Sequence, residues 1–413
     1  MMEILYACCC GIDIHAKTAV ACLIKDGKKQ IRTFSTMTDD LLTLLDWLEQ
    51  AGCSHVAIES TGVYWKPVFN ILEGRMDVIL TNARDAKGFK ARKTDVLDAE
   101  WLADLLRHGL LKPSFIPPRH IRELRELTRY RESLIRQQTA LSNRIQKLAE
   151  SANIKLAQVA SDALGVSGKL MLRALADGET DAEQLSHLAK RSLKRKQPQL
   201  QRALQGRLTE AQRWVLSELL DQYEQVEAAV KRTEQRIDEE VQASPDPFVS
   251  EAIELLDGIG GINETVARIV VAEIGVEMSQ FPSANHLASW AGMCPGNHES
   301  AGKRKSGKTG KGSRYLRAAL VQAAWAASHQ KDSYLAAQYR RMVKRMGKKK
   351  ALVAVAHSIL VIIYHVLKER TEYKDLGSEY FERRNVEKQR KRLIKQLESL
   401  GVKVTVEEVT KAA

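Results

Sequence analysis

The sequence predicts an α/β unit at its start joined to a longer, mainly helical remainder. Two patterns and one asymmetry predict it. Over residues 4–106, short apolar runs rich in β-branched residues alternate with amphipathic stretches, as in a sheet covered by helices. From about residue 119 the apolar residues fall three and four apart along long, charged segments. The asymmetry is one of charge. Residues 1–100 hold 12 Lys and Arg against 14 Asp and Glu, whereas residues 301–350 hold 15 against Asp332 alone, which accounts for the whole formal charge of +13. At 413 residues and 44% hydrophobic the chain can core two or three domains. One-sided charge of this density is the footprint of a phosphate-binding surface rather than of a mixed, solvated helix face.

Taken in order, residues 4–14, 19–24 and 30–34 read as a meander of three strands with a turn at Asp26-Gly27. A helix over 38–48, a strand ending at Glu59, a helix over 64–72 and a strand over 78–80 follow. That order fits a ribonuclease-H-like sheet, antiparallel at one side and parallel at the other. Asp13 and Glu59 each close an apolar run, so each is delivered at a strand end, where a desolvated carboxylate needs a partner. Asp95 and Asp98 lie three apart on an amphipathic helix with Leu97, Leu102, Leu105 and Leu106, and therefore share a face. For this pair alone the plainer reading is a helix start, with Asp95 as N-cap and Asp98 in the first turn. Four acids brought together repel unless divalent cations sit among them, and two such ions form the clamp for in-line displacement at phosphorus.

The helical region opens with a long charged helix over 121–148. A second begins at the capping-box pattern Thr209-Glu210-Ala211-Gln212. Within it Leu216, Leu219, Tyr223, Val226, Val230, Thr233, Ile237 and Val241 form a coiled-coil seam. Such a seam serves either a helical hairpin with 121–148 or the pairing of subunits, and its length favours dimerisation as well. The cluster from Lys190 to Arg195, with Pro198, reads as an exposed basic tip. Pro245-Asp246-Pro247 marks the next boundary.

Beyond it, Gly258-Ile259-Gly260-Gly261 separates two helices. A glycine hairpin of this kind either lets backbone N–H groups hold a DNA phosphate, through Gly258 and Gly260, or simply turns an αα-corner. Residues 295–314 then form a glycine- and lysine-rich loop leading into a helix over 315–328. Its Lys303, Arg304, Lys305, Lys308, Lys311 and Arg314, followed by Arg317, grip phosphate and would stabilise developing charge on a phosphorane. Ser306 and Ser313 lie deep among these bases, where a phosphate contact is the simpler role.

Six cysteines show no metal spacing, and Cys8, Cys9 and Cys10 in succession alternate faces of a strand, so they read as reduced core residues of a cytoplasmic protein. No basic stretch precedes the first apolar run, unlike a secretory leader. The apolar run over 351–367 is shorter than the ~20 residues a membrane span needs and contains His357, Ser358 and His365, which favours a buried helix.

These motifs resemble a known family. Gly11-Ile12-Asp13, Ile58-Glu59-Ser60-Thr61-Gly62, Lys93-Thr94-Asp95, Asp98-Ala99, the glycine hairpin and the loop ending in Tyr315-Leu316-Arg317 are similar to the DEDD transposases of the insertion-sequence one-ten family, with the extended basic loop of the eleven-eleven subgroup. The resemblance covers about residues 5–370. It implies a RuvC-like domain over 1–118, a helical coiled-coil linker over 119–244, a transposase domain with a helix-hairpin-helix element and a serine loop over 245–375, and a basic tail over 376–413. It further implies Mg2+ or Mn2+ held by Asp13, Glu59, Asp95 and Asp98, with Ser300 as a nucleophile that links covalently to DNA. The partners it implies are double-stranded DNA at element ends and target, a structured bridge RNA, and further copies of the chain in a dimer or tetramer that needs no membrane. The family often places glycine directly after the nucleophile. Here Ser300 precedes Ala301-Gly302, while Ser306-Gly307 matches locally but stands too close to Leu316. Two other classes use part of the same residues: a Holliday-junction nuclease with the four acids and water, and a non-enzymatic scaffold with the basic block alone.

Overall fold

A computed structural model describes residues 3–60, 62–82, 94–296, 298–300 and 303–399, with backbone only for 298–300, 303–306, 385–389 and 391–392. Thr61, Lys93, Ala301 and Gly302 of the motifs above, and the tail beyond 399, lie outside the described residues. The chain divides into two units, residues 1–116 and 117–413.

The first unit is a five-stranded sheet of β1 (Cys8–Ile14), β2 (Thr18–Lys25), β3 (Lys28–Ser35), β4 (His55–Glu59) and β5 (Asp77–Thr81), ordered β3-β2-β1-β4-β5. The β1–β2 and β2–β3 pairs are antiparallel, and β4 and β5 run parallel to β1. The first strand starts at Cys8 rather than residue 4. A positive-φ Asp26-Gly27 turn closes the β2–β3 hairpin as the sequence predicts. Residues alternating along β1 serve two cores. Cys10, Ile12 and Ile14 pack with α1 (Thr38–Ala51) and α2 (Trp65–Leu72) on one face, while Cys9 packs with α3 (Asp95–Arg107) on the other. The cysteines are free thiols, and burial pushes Cys9 and Cys22 up to about 11 and Cys53 up to about 12, so at neutral pH they are inert apolar filling.

Gly11 makes the second face possible. A Cβ there would overlap the backbone of Ala99 and Ala103, so the glycine lets α3 lie directly on β1. Thr94 caps α3, accepting from the Leu97 N–H, so the capping role considered for Asp95 falls to its neighbour.

The second unit is helical. Its frame is α4 (Arg119–Ser151) packed along the later helix α9 (Glu210–Gln242), which starts at the expected capping box of Thr209 and Gln212. Leu216, Val230, Thr233 and Ile237 of the seam are buried within the chain. Between the two helices the sequence reading saw only a basic tip. The structure adds a small core there, of α5 (Leu156–Val159), α6 (Val166–Ala176), α7 (Ala182–His187) and α8 (Gln197–Ala203) on the ends of α4 and α9. The tip itself is an exposed 3-10 turn over Arg191–Lys196.

After Pro247 come α10 (Phe248–Asp257), α11 (Glu264–Ile274) and α12 (Ala284–Trp290), then a hairpin of β6 (His298–Ser300) and β7 (Lys303–Ser306). Four more helices follow, α13 (Arg314–Ser328), α14 (Tyr334–Met346), α15 (Lys348–Glu369) and α16 (Tyr380–Ser399). The helix α15 is 22 residues long, enough by length and composition to cross a membrane, so the length argument from the sequence fails. Its Val355, Ile359, Leu360, Ile363 and Tyr364 are buried, and it packs against α10, α12, α13 and α14 as a core helix.

Candidate functional site

Parallel pairing sets Ile12 beside Ile58, so Asp13 and Glu59 stand level at the ends of adjacent strands. Ile12 and Ile58 point into the core under α1. By alternation the two acids point to the α3 face. There the first turn of α3 supplies Asp95 and Asp98. Asp13 is buried at 6% exposure, and burial pushes its carboxyl above the ordinary carboxylate range. His15 opposes that rise, and the charges of Asp95, Asp98 and Glu59 add to it. Asp95, Asp98 and Glu59 thus lie near enough to Asp13 for their charge to act on it.

The sequence reading missed His15. Its Nε2 lies 3.3 Å from Asp13 Oδ2 and 3.2 Å from Asp95 Oδ1. Donor atoms of Asp13, His15 and Asp95 all fall within 4.8 Å of one another. Two carboxylates, one of them buried, and an imidazole form a donor group that suits a divalent cation; Asp98 and Glu59 act on Asp13 but are not within that close group. The only signal in the sequence was that His15 follows Asp13 by two residues, which a turn in the chain had to convert into proximity.

In the second unit the described residues of the basic loop pair with one another. Ser300 pairs with Lys303 across the β6–β7 hairpin, and Glu299 with Arg304. Pro295 bridges Thr309, and Gly296 N–H donates to the Lys308 carbonyl, 2.8 Å, holding both legs together. Lower down, Gly292 and Gly312 pass so closely that a Cβ on either would strike backbone. Lys308 and Lys311 are exposed, Arg317 is half-buried, and Arg314 stacks on Tyr315 at 4.8 Å.

Ser313 has structural partners within the chain. It caps α13 by accepting from the Leu316 N–H and donates to Glu273 Oε2 at 2.8 Å. Glu273, 1% exposed, also accepts from Arg129 at 2.7 and 2.9 Å, while Arg125 donates to the carbonyls of Ala272 and Glu273. Tyr315 lies against Arg129 as well, at 4.8 Å. This buried network fixes the foot of the serine hairpin to α4 and α11. Arg129 and Glu273 alone lie 144 residues apart, so no local pattern could have shown it.

The glycine turn between α10 and α11 has a packing reason. Gly261, at φ +90°, faces the backbone of Ala323 and Ala327 in α13, and Gly260 faces Gln330. Gly258 is exposed, with Asn263 capping α11. Farther on, Arg340, Arg341, Lys344, Arg345, Lys348, Lys349 and Lys350 are all exposed, and among the described residues none has a carboxylate at ion-pair distance. By contrast, Arg131, Arg136 and Arg236 on α4 and α9 are paired.

The family described as Transposase, of the IS110 DEDD type, matches residues 10–154. The family described as Transposase IS116/IS110/IS902 matches residues 253–340. The chain is also 24% identical over 374 residues to the pilin gene-inverting proteins of Moraxella bovis and Moraxella lacunata, covering 88% of this chain and 96% of each relative. With the sheet and α4 under one match, and the stretch from α10 into α14 under the other, the chain belongs to the IS110 family of DNA transposases.

Proposed function

We propose that the protein cuts and rejoins DNA with Ser300 as nucleophile and a divalent-metal centre of Asp13, Glu59, Asp95 and Asp98. The observation that supports the reading is the grouping of Asp13, His15 and Asp95 at the end of β1, with Glu59 on the adjacent strand and Asp98 in the first turn of α3. These residues would hold Mg2+ or Mn2+, which supplies electrostatic stabilisation of charge developing at phosphorus. In this reading Asp13 binds through a carboxylate that water cannot easily screen, and Asp95 and Asp98 bind from one helix turn.

The reading gives the bond-making step to the second unit. The Ser300 hydroxyl oxygen forms a bond to phosphorus, the bond from phosphorus to a deoxyribose oxygen breaks, and that oxygen leaves with a proton. One phosphate ester replaces another, so the reverse attack by a sugar hydroxyl rejoins DNA without outside energy. Gene inversion, the operation in the relatives' name, is a cut-and-rejoin process of this kind. A nuclease that used water would lose the ester and fit that operation less well.

Lys303, Arg304, Lys305, Lys308, Lys311, Arg314 and Arg317 grip the DNA backbone near the serine. Gly258 and Gly260 meet phosphate at the turn before α11, and the unpaired bases of α14 and α15 extend the basic surface. We further propose guidance by a structured bridge RNA, membership of the eleven-eleven subgroup, and action in the bacterial cytoplasm by a dimer or tetramer, because synapsis of two DNA sites needs at least two protomers. In this reading residues 1–118 carry the metal site, 119–244 join and pair protomers, 245–375 carry the serine, and 376–413 add basic charge. Labelled element-end DNA, guide RNA and Mg2+ incubated with the protein should give a protein–DNA adduct that survives denaturing electrophoresis. DNA cut to free ends without an adduct would favour the water-using nuclease.

A further inference from the structure

We infer that His15 is a nitrogen ligand of the metal centre and biases it toward Mn2+ over Mg2+, an inference that rests on the proposed reading of the four acids as a divalent-cation site. Its backbone is set by the β1–β2 turn, where its N–H donates to the Thr18 carbonyl at 2.8 Å. The imidazole is thereby brought back over the end of β1, with Nε2 between Asp13 and Asp95. An ion pair explains this placement poorly. Nε2 carries at most one hydrogen, and both of its carboxylate distances, 3.2 and 3.3 Å, exceed the ~2.7–2.9 Å of a charge-assisted bond. A cation shared by all three groups explains it better. Donors around an octahedral ion stand about 3 Å apart as neighbours and about 4.3 Å apart as opposites, and the donor atoms here fall within 4.8 Å. The side chain is half exposed, so that coordination leaves an open side for a phosphate oxygen.

The chemical consequence is selectivity. Mg2+ is a hard ion that keeps oxygen ligands, whereas Mn2+ accepts imidazole more readily. A centre of carboxylates alone suits both ions and lacks the nitrogen that adds to the preference for Mn2+.

Mn2+ itself is the probe, on the full-length protein without nucleic acid. Loss of the free-ion electron paramagnetic signal counts bound Mn2+, and electron spin-echo modulation reports directly bound 14N. The expected result is nitrogen coupling in the wild type and its loss in His15→Gln, with about tenfold weaker Mn2+ binding and a smaller change for Mg2+. Free imidazole added to His15→Ala should restore the coupling. Bound Mn2+ without nitrogen coupling in the wild type, or coupling that survives in His15→Gln, overturns the role of His15 and leaves the acid site standing. Failure of the wild type to bind Mn2+, or equal binding by Asp13→Ala, overturns the acid site and His15 with it.

Discussion

Asp13 is costly to the fold on its own, because it is buried among three other carboxylates. Its raised pKa means that the fold disfavours the charged form. The cost is present above the folded pKa and is relieved as pH falls through it. Asp13→Asn should therefore melt higher than the wild type in EDTA at neutral pH, and should lose the stabilisation that Mg2+ gives the wild type. Thermal melts with and without Mg2+ check both halves, and a wild type indifferent to the ion would contradict the site. Asp13→Ala, likewise, should abolish strand cleavage while DNA binding stays within about twofold, since phosphate contacts lie elsewhere. The strand-end positions of Asp13 and Glu59 were legible because a carboxylate directly after a buried apolar run is conspicuous. His15 was not, because a turn and not a periodicity brings it to them.

Among the elements, α3 is seated by one absent methyl group. Gly11→Ala should force α3 off β1, cost about 1–3 kcal/mol in denaturant unfolding and weaken Mn2+ binding with all four acids intact. The helical period of α9 was readable in the sequence, and Leu216, Val230, Thr233 and Ile237 of the expected seam are buried, but period does not name a partner. In the structure Val230 is buried against the rest of its own chain. Val230→Asp should accordingly lower the melting temperature whatever the oligomeric state, and light scattering on the refolded variant tests whether the seam also pairs subunits. The clamp on α11 had no sequence signal at all. Glu273→Gln would leave Arg129 half-buried without its carboxylate, at a cost of up to about 3–5 kcal/mol. Adduct formation should then fall more steeply than DNA binding, as a filter-binding assay beside the adduct gel would show.

For the molecule as a whole, the charge map and the strand order carried the reading furthest. The sheet order, the helical remainder and the basic block all stood in the sequence, because each follows from local period or composition. The small helical core between α4 and α9 was hidden, since its helices are short and its apolar residues close a core only with the ends of two distant helices. The central claim concerns a covalent bond, and mapping that bond tests it most directly. After incubation with labelled element-end DNA, guide RNA and Mg2+, the DNA-linked peptide is isolated and sequenced by mass spectrometry. The account predicts phosphate on Ser300, no adduct from Ser300→Ala or Asp13→Ala, and a weakened one from Ser306→Ala. Attachment at Ser306 or Ser313, or cleavage with no attachment at all, would contradict it.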